Sequence, residues 1–178
     1  MLKSFYPYEY AESVFAIDYQ KLYALGYRGI IFDIDNTLVP HGKDATPEIE
    51  ALFRELQSIG LKTLLLSNNN QARIERFLEN IESPYICDAE KPAPDGFYRA
   101  VELLGLQPNE VVAVGDQVFT DIRGANRSGL ANILVRFIGA GQTKKIGKRR
   151  RVEQLILVCY RRNRRFCHRL GDILKKGD

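Results

Sequence analysis

Short apolar runs alternate with amphipathic stretches through the middle of the chain. Gly29–Phe32 is apolar and β-branched and gives way at once to acidic and polar residues, as a buried strand does. Thr46 and Pro47 supply the cap and first-turn proline of a helix that Gly60 closes. Leu61–Leu66 is the next predicted strand, followed by a helix over Gln71–Asn80. A short strand at Tyr85–Cys87 and a helix over Pro94–Leu104 come after it. The series ends with a strand at Val111–Val114, a helix over Asp121–Ser128 and a strand at Asn132–Val135. Strands alternating with helices in this way predict an α/β fold of three layers, a parallel sheet between helices. Ligands of such sheets bind beyond the carboxyl ends of the strands, so the chemistry is expected there.

The strand ends are where polar residues collect. The first predicted strand runs into Asp33-Ile34-Asp35-Asn36-Thr37, and the second into Ser67-Asn68-Asn69-Asn70. Lys91-Pro92 lies beyond the third, and the fourth ends in Gly115-Asp116 with Asp121 five residues on. Several carboxylates buried together are costly unless a cation neutralises them. Hard oxygen ligands with room for water favour magnesium. With the like-charge repulsion screened, a carboxylate can attack phosphorus to give an aspartyl-phosphate. A second carboxylate can protonate the leaving oxygen and later activate water. The Ser67 hydroxyl, backbone amides and the Lys91 ammonium can hold phosphoryl oxygens. Taken singly, Ser67 or Asp121 would read as a helix cap and Lys91 as a solvated charge.

Asp33-x-Asp35-x-Thr37, Ser67, Lys91 and Gly115-Asp116-x-x-x-x-Asp121 together resemble, in order, the four motifs of haloacid dehalogenase (HAD) superfamily phosphatases, over about Gly29 to Phe137. The resemblance implies a Rossmann-like core with Asp33 as nucleophile and Asp35 as general acid/base. It implies a magnesium ion held by Asp33, the backbone carbonyl of Asp35 and Asp116, with Asp121, Thr37 and Gly115 in support. Ser67, Asn68 and Lys91 are the implied phosphate holders. An aspartate at position 35 suits phosphate transfer, because the leaving oxygen needs a proton. Only 34 positions separate Asp33 from Ser67 and 24 separate Ser67 from Lys91, too few for an inserted cap domain. A capless site suits a phosphate presented by a large object. The opening Pro7-x-x-Tyr10-x-x-Ser13-Val14-Phe15-x-Ile17-Asp18 adds a similarity to the YqeG-type subgroup, which is itself similar to phosphatidylglycerophosphate phosphatases.

Composition changes the picture at one end of the chain. Of 178 residues, 45% are apolar and 27% charged, the profile of a soluble globular protein. No apolar run approaches a membrane span, and charged residues interrupt every apolar stretch near the N-terminus, so no signal peptide is expected. Cys87, Cys159 and Cys167 form no CxxC pair, and a cytoplasmic protein without disulfides is expected. His41 and His168 show no metal-ligand spacing or acidic partner pattern and read as structural or surface groups. Gly139, Gly141 and Gly147 read as linker. The net charge of +4 hides a division: from Lys144 to Asp178 there are 13 Lys/Arg against 3 Asp/Glu, a balance of +10, and the rest of the chain carries −6.

The domain plan is therefore an N-terminal helical and aromatic segment (1–28), a phosphatase core (29–137), a basic linker (138–150) and a C-terminal amphipathic helix (151–176). On a helical wheel Val152, Leu155, Ile156, Cys159, Phe166, Cys167, Leu170, Ile173 and Leu174 gather on one side, and Arg161, Arg162, Arg164, Arg165, Arg169, Lys175 and Lys176 on the other. A basic amphipathic helix after Lys148-Arg149-Arg150-Arg151 reads as a membrane-surface element, placing the protein peripherally at the inner face of the membrane. The same stripe could instead pack on the domain, and the same charge could hold RNA or a ribosome. The aromatic cluster Phe5, Tyr6, Tyr8, Tyr10 and Phe15 could meet lipid or the core. The expected substrate is a membrane lipid phosphate, phosphatidylglycerophosphate. The alternatives are a phosphatase for nucleic-acid ends or phosphoprotein, and an RNA-associated module that keeps the fold.

Overall fold

A computed structural model describes residues 2–141 and 148–175. Six parallel strands form one sheet: β1 (Glu9–Ala11), β2 (Gly29–Phe32), β3 (Lys62–Leu66), β4 (Tyr85–Ile86), β5 (Val111–Gly115) and β6 (Ala131–Val135). Their order is β1-β6-β5-β2-β3-β4, so the chain builds one way from β2 and then jumps back to place β5 on its other side. That reversal is the topological switch point, and Asp33 and Asp116 leave the sheet on either side of it.

Alternate residues of each strand supply opposite faces. Ile30, Phe32, Leu65, Val112 and Val114 meet α1 (Tyr19–Ala24), α2 (Pro47–Ile59) and α3 (Gln71–Phe77). Ile31, Leu64, Leu66, Val111 and Ala113 meet α4 (Asp95–Leu104) and Ala125 of α5 (Arg123–Arg127). The predicted helix signals act as read: the Thr46 hydroxyl accepts from the Ile49 amide, and Gly60 ends α2 at φ 92°. The helix predicted from Asp121 begins instead as a π-helical turn over Val118–Ile122 that leads into α5. Between β2 and β3 there is only α2, and between β3 and β4 only α3, so no cap domain interrupts the core.

Both ends depart from the sequence reading. The 1–28 segment holds a sixth strand, β1, paired with β6. The C-terminal helix is α6 (Lys148–Arg162), not a continuous helix to residue 176. Turns at Asn163 and Phe166 end it, and the remaining chain crosses back to the N-terminal segment. There Leu174 bridges Ile17, the Asp18 amide donates to the Ile173 carbonyl, and Leu170 and Ile173 are buried in the main core. The apolar periodicity past residue 162 therefore marks core anchors rather than a helical stripe. Within α6 the buried face is Glu153, Ile156 and Tyr160, packed on Tyr6, Val118, Ile122 and Leu134. The aromatic cluster divides in the same way: Phe5 and Tyr6 pack on Phe119, Tyr160 and Phe166, while Phe15 stays exposed. Residues 142–147 of the predicted linker, Gly147 among them, and Lys176 lie outside the described residues. No helix of the described residues is long and apolar enough to cross a membrane.

Candidate active site

The loop after β2 turns back sharply. Asn36 takes a left-handed φ of 67°, and the amides of Thr37 and Leu38 both donate to the Ile34 carbonyl. This brings the Thr37 hydroxyl to 2.9 Å from Asp33 Oδ2 and 3.4 Å from Asp116 Oδ1. On the other side of Asp33, Lys91 Nζ lies 2.7 Å from Oδ1 and also 2.7 Å from Asp121 Oδ1. The remaining oxygen of Asp121 accepts the Gln117 amide at 3.0 Å, within the turn that begins the π-helical segment. Gly115 has to be glycine for this approach, since a Cβ there would fall 2.4 Å from the Asp121 side chain. Three strand ends, those of β2, β4 and β5, thus deliver one interlocked cluster.

Carboxylate oxygens of Asp33, Asp116 and Asp121 lie within 4.8 Å of one another, which places them as a candidate metal site. Burial raises Asp33 to about 6, with the Asp121 charge adding to it and Lys91 and Thr37 opposing it. Burial likewise raises Asp116 to about 8, with repulsion from Asp121 and Asp33 added. This excess of buried negative charge on oxygen donors alone fits a hard divalent cation such as magnesium. All three carboxylates already have both oxygens engaged, Asp121 by Lys91 and Gln117, Asp33 by Lys91 and Thr37, and Asp116 by Thr37 and Arg150, so an ion held here would replace some of these contacts.

Asp35 faces a different set of partners. Its carboxylate accepts from the Gly42 amide at 3.1 Å, Asn69 Nδ2 at 2.9 Å and Arg73 at 2.8 Å, with His41 Nδ1 at 3.1 Å. Although partial burial opposes it, these donors hold the Asp35 carboxyl below the usual range. Ser67 is buried, and its Oγ accepts from the Asn69 amide and side chain, which leaves the hydroxyl proton to donate. Asn68, read as a phosphate holder, has its side chain engaged with the backbone of Lys91 at 2.8 and 3.2 Å. It clamps the strand end that presents the ammonium.

Four contributors were not singled out from sequence: Asn69, Arg73, His41 and Arg150. Both histidines have acidic partners after all, His41 on Asp35 and His168 on the buried Glu9 at 2.9 Å. Arg150, from the first turn of α6, pairs with Asp116 Oδ2 and donates to the Asp116 carbonyl at 2.8 Å. Glu153 fixes that guanidinium at 2.8 Å and accepts the Val118 amide at 3.1 Å. The C-terminal helix is therefore joined to the active site. A run of four basic residues gives no sign of which one turns inward.

Residues 41–129 match the family model of haloacid dehalogenase-like hydrolases. The chain is 38% identical over 164 residues to the "Probable phosphatase YqeG" of Bacillus subtilis, covering 91% of this chain and 95% of that protein. It is 27% identical over 161 residues to a chloroplastic phosphatidylglycerophosphate phosphatase of Chlamydomonas reinhardtii, covering 83% of this chain and 59% of that one. Among solved structures, an uncharacterized protein from Listeria monocytogenes superposes with a TM-score of 0.53 at 19% identity, over 75% of this chain and 99% of the other. With the four motifs converging on one cleft at the switch point of a parallel sheet, the chain belongs to the haloacid dehalogenase superfamily, as one of its phosphatases.

Proposed function

We propose that the chain hydrolyses a phosphomonoester through an aspartyl-phosphate on Asp33, with magnesium, and that its substrate is the lipid phosphatidylglycerophosphate. The observation that carries the chemistry is the placement of Asp33 between Lys91 and Thr37, with Asp116 alongside. Magnesium, when bound by Asp33, Asp116 and the Asp35 carbonyl, would screen the charge of the incoming phosphate. A carboxylate oxygen of Asp33 attacks phosphorus, and the bond from phosphorus to the substrate alcohol oxygen breaks. That oxygen takes a proton from Asp35. Asp35 then accepts a proton from water as the water oxygen attacks the same phosphorus, and cleavage of the bond to Asp33 releases phosphate. Lys91 and Ser67 hold the phosphoryl oxygens. In this arrangement Asp35 is ionised and tied to Arg73, the state suited to the water step. Donation to the leaving oxygen requires it to exchange Arg73 for the substrate.

The lipid assignment is supported by the uncapped core, by the similarity to a phosphatidylglycerophosphate phosphatase, and by the exposed basic and apolar surface of α6. The test is phosphate release from phosphatidylglycerophosphate in vesicles, a 5′-phosphorylated oligonucleotide and a phosphopeptide, each with magnesium and with chelator. Magnesium-dependent turnover favouring the lipid is expected. Preference for the oligonucleotide or peptide would replace the lipid reading, and full activity in chelator would remove the metal.

A further inference from the structure

A second cluster of positive charge borders the phosphoryl site, and nothing in the reaction above uses it. Pro92, Phe119, Arg123, Arg149 and Val152 line a cleft of about 350 Å³. Pro92 follows Lys91, which holds Asp33. Phe119 lies between Asp116 and Asp121 in sequence, and Arg149 precedes the Arg150 that is bonded to Asp116. The cleft is thus adjacent to the reacting centre on the side where α6 docks.

Its two guanidinium groups are held in a distinctive way. Arg149 lies 5.2 Å from the ring of Phe119, and Arg123 lies 5.3 Å from the ring of Phe5. Among the described residues neither makes an ion pair or a hydrogen bond to the protein, so each guanidinium rests beside an aromatic ring with its N–H groups available to a ligand. Free forks of this kind match the oxygens of a phosphate. Phe119, Pro92 and Val152 make the rest of the lining apolar, and from Val152 the exposed Leu155 and Val158 continue along α6.

We propose that this cleft is a subsite for a second anionic group on the substrate, the phosphodiester of a glycerophospholipid whose terminal phosphomonoester is hydrolysed at Asp33. The inference rests on the lipid reading above and names the residues that would select it. In phosphatidylglycerophosphate a single glycerol separates the two phosphates, which requires two anion sites side by side. Arg123 and Arg149 hold the diester, and Val152 faces the start of the diacylglycerol portion. A phosphomonoester without the diester fills only the inner site.

The test compares kcat and KM for three substrates: phosphatidylglycerophosphate in detergent micelles, its deacylated water-soluble head group, and glycerol 3-phosphate, which lacks the diester. The variants are Arg123→Gln, Arg149→Gln and the pair, with Arg149→Lys as a conservative control and melting temperature as a check on folding. The wild-type protein should prefer the deacylated head group to glycerol 3-phosphate. The paired substitution should shrink that preference about tenfold, mainly through KM, the loss of about 1.4 kcal/mol expected when a charge-assisted contact goes. Arg149→Lys should recover part of it. An unchanged preference in the folded pair would overturn the subsite, and so would a loss confined to micelles, which would mean general adsorption to the lipid surface. Failure of the wild-type protein to cleave phosphatidylglycerophosphate while cleaving glycerol 3-phosphate would instead remove the lipid reading itself.

Discussion

Thr37 stands between two carboxylates, within 2.9 Å of Asp33 and 3.4 Å of Asp116, and its position shows how single side chains set the charge of this site. Asp33→Asn keeps the size of the side chain but removes the attacking oxygen anion. Turnover should disappear, while the melting temperature holds or rises because one of three crowded negative charges is gone. Wild-type turnover in this variant would exclude covalent catalysis at Asp33. Gly115→Ala acts from behind: its Cβ would meet the Asp121 carboxylate, whose displacement would loosen Lys91. A fall in kcat of at least about tenfold is expected, with roughly 1–3 kcal/mol of destabilisation by denaturant titration. At this scale the motif residues were legible because each one lies within a few residues of the end of a strand. Arg73 was not, because it lies on an amphipathic helix where an arginine ordinarily faces water, and only the fold turns it onto Asp35.

At the scale of elements, α6 does more than cover an edge, since Arg150 and Glu153 tie it to the turn that carries Asp116. A guanidinium on Asp116 Oδ2 opposes a second cation at the same carboxylate. Arg150→Met should therefore bind magnesium more tightly, by about tenfold in a calorimetric titration, or ~1.4 kcal/mol. Weaker binding would mean that Arg150 instead orients Asp116 for the metal. The central strands and helices followed their apolar periods and caps closely. β1 did not, being three residues long and starting with a buried glutamate whose partner, His168, comes from the far end of the chain. The end of α6 was also hidden. Leu170 and Ile173 continue the wheel's apolar side by spacing, yet they are buried separately in the main core.

For the whole molecule, the excess of basic residues in the C-terminal part has two sides, one packed and one exposed. Arg151, Arg161, Arg162, Arg164 and Arg165 are exposed, along with Val152, Leu155 and Val158. Binding to anionic vesicles should accordingly weaken as salt is raised from about 0.05 to 0.5 M, because the screening length shortens, and sedimentation would measure it. Salt-independent binding would argue against an electrostatic contribution from these arginines. Removing residues 148–178 should abolish more than this attachment. Ile156, Tyr160, Leu170 and Ile173 are buried, at roughly 1.5–3 kcal/mol each, a loss comparable with the ~5–15 kcal/mol stability of an entire domain. An unfolded or aggregated product is expected on gel filtration and circular dichroism. The bridge from Leu174 to Ile17 has a further consequence, for the order of events during synthesis. The N-terminal parts of many proteins fold while the ribosome is still adding residues. Here Ile17 and its neighbours gain their last partners only when residue 174 is free to return to them. On a stalled nascent chain lacking those residues, the apolar surface around Ile17 would remain open to proteases and to chaperones that recognise apolar segments, even with all four catalytic motifs already translated.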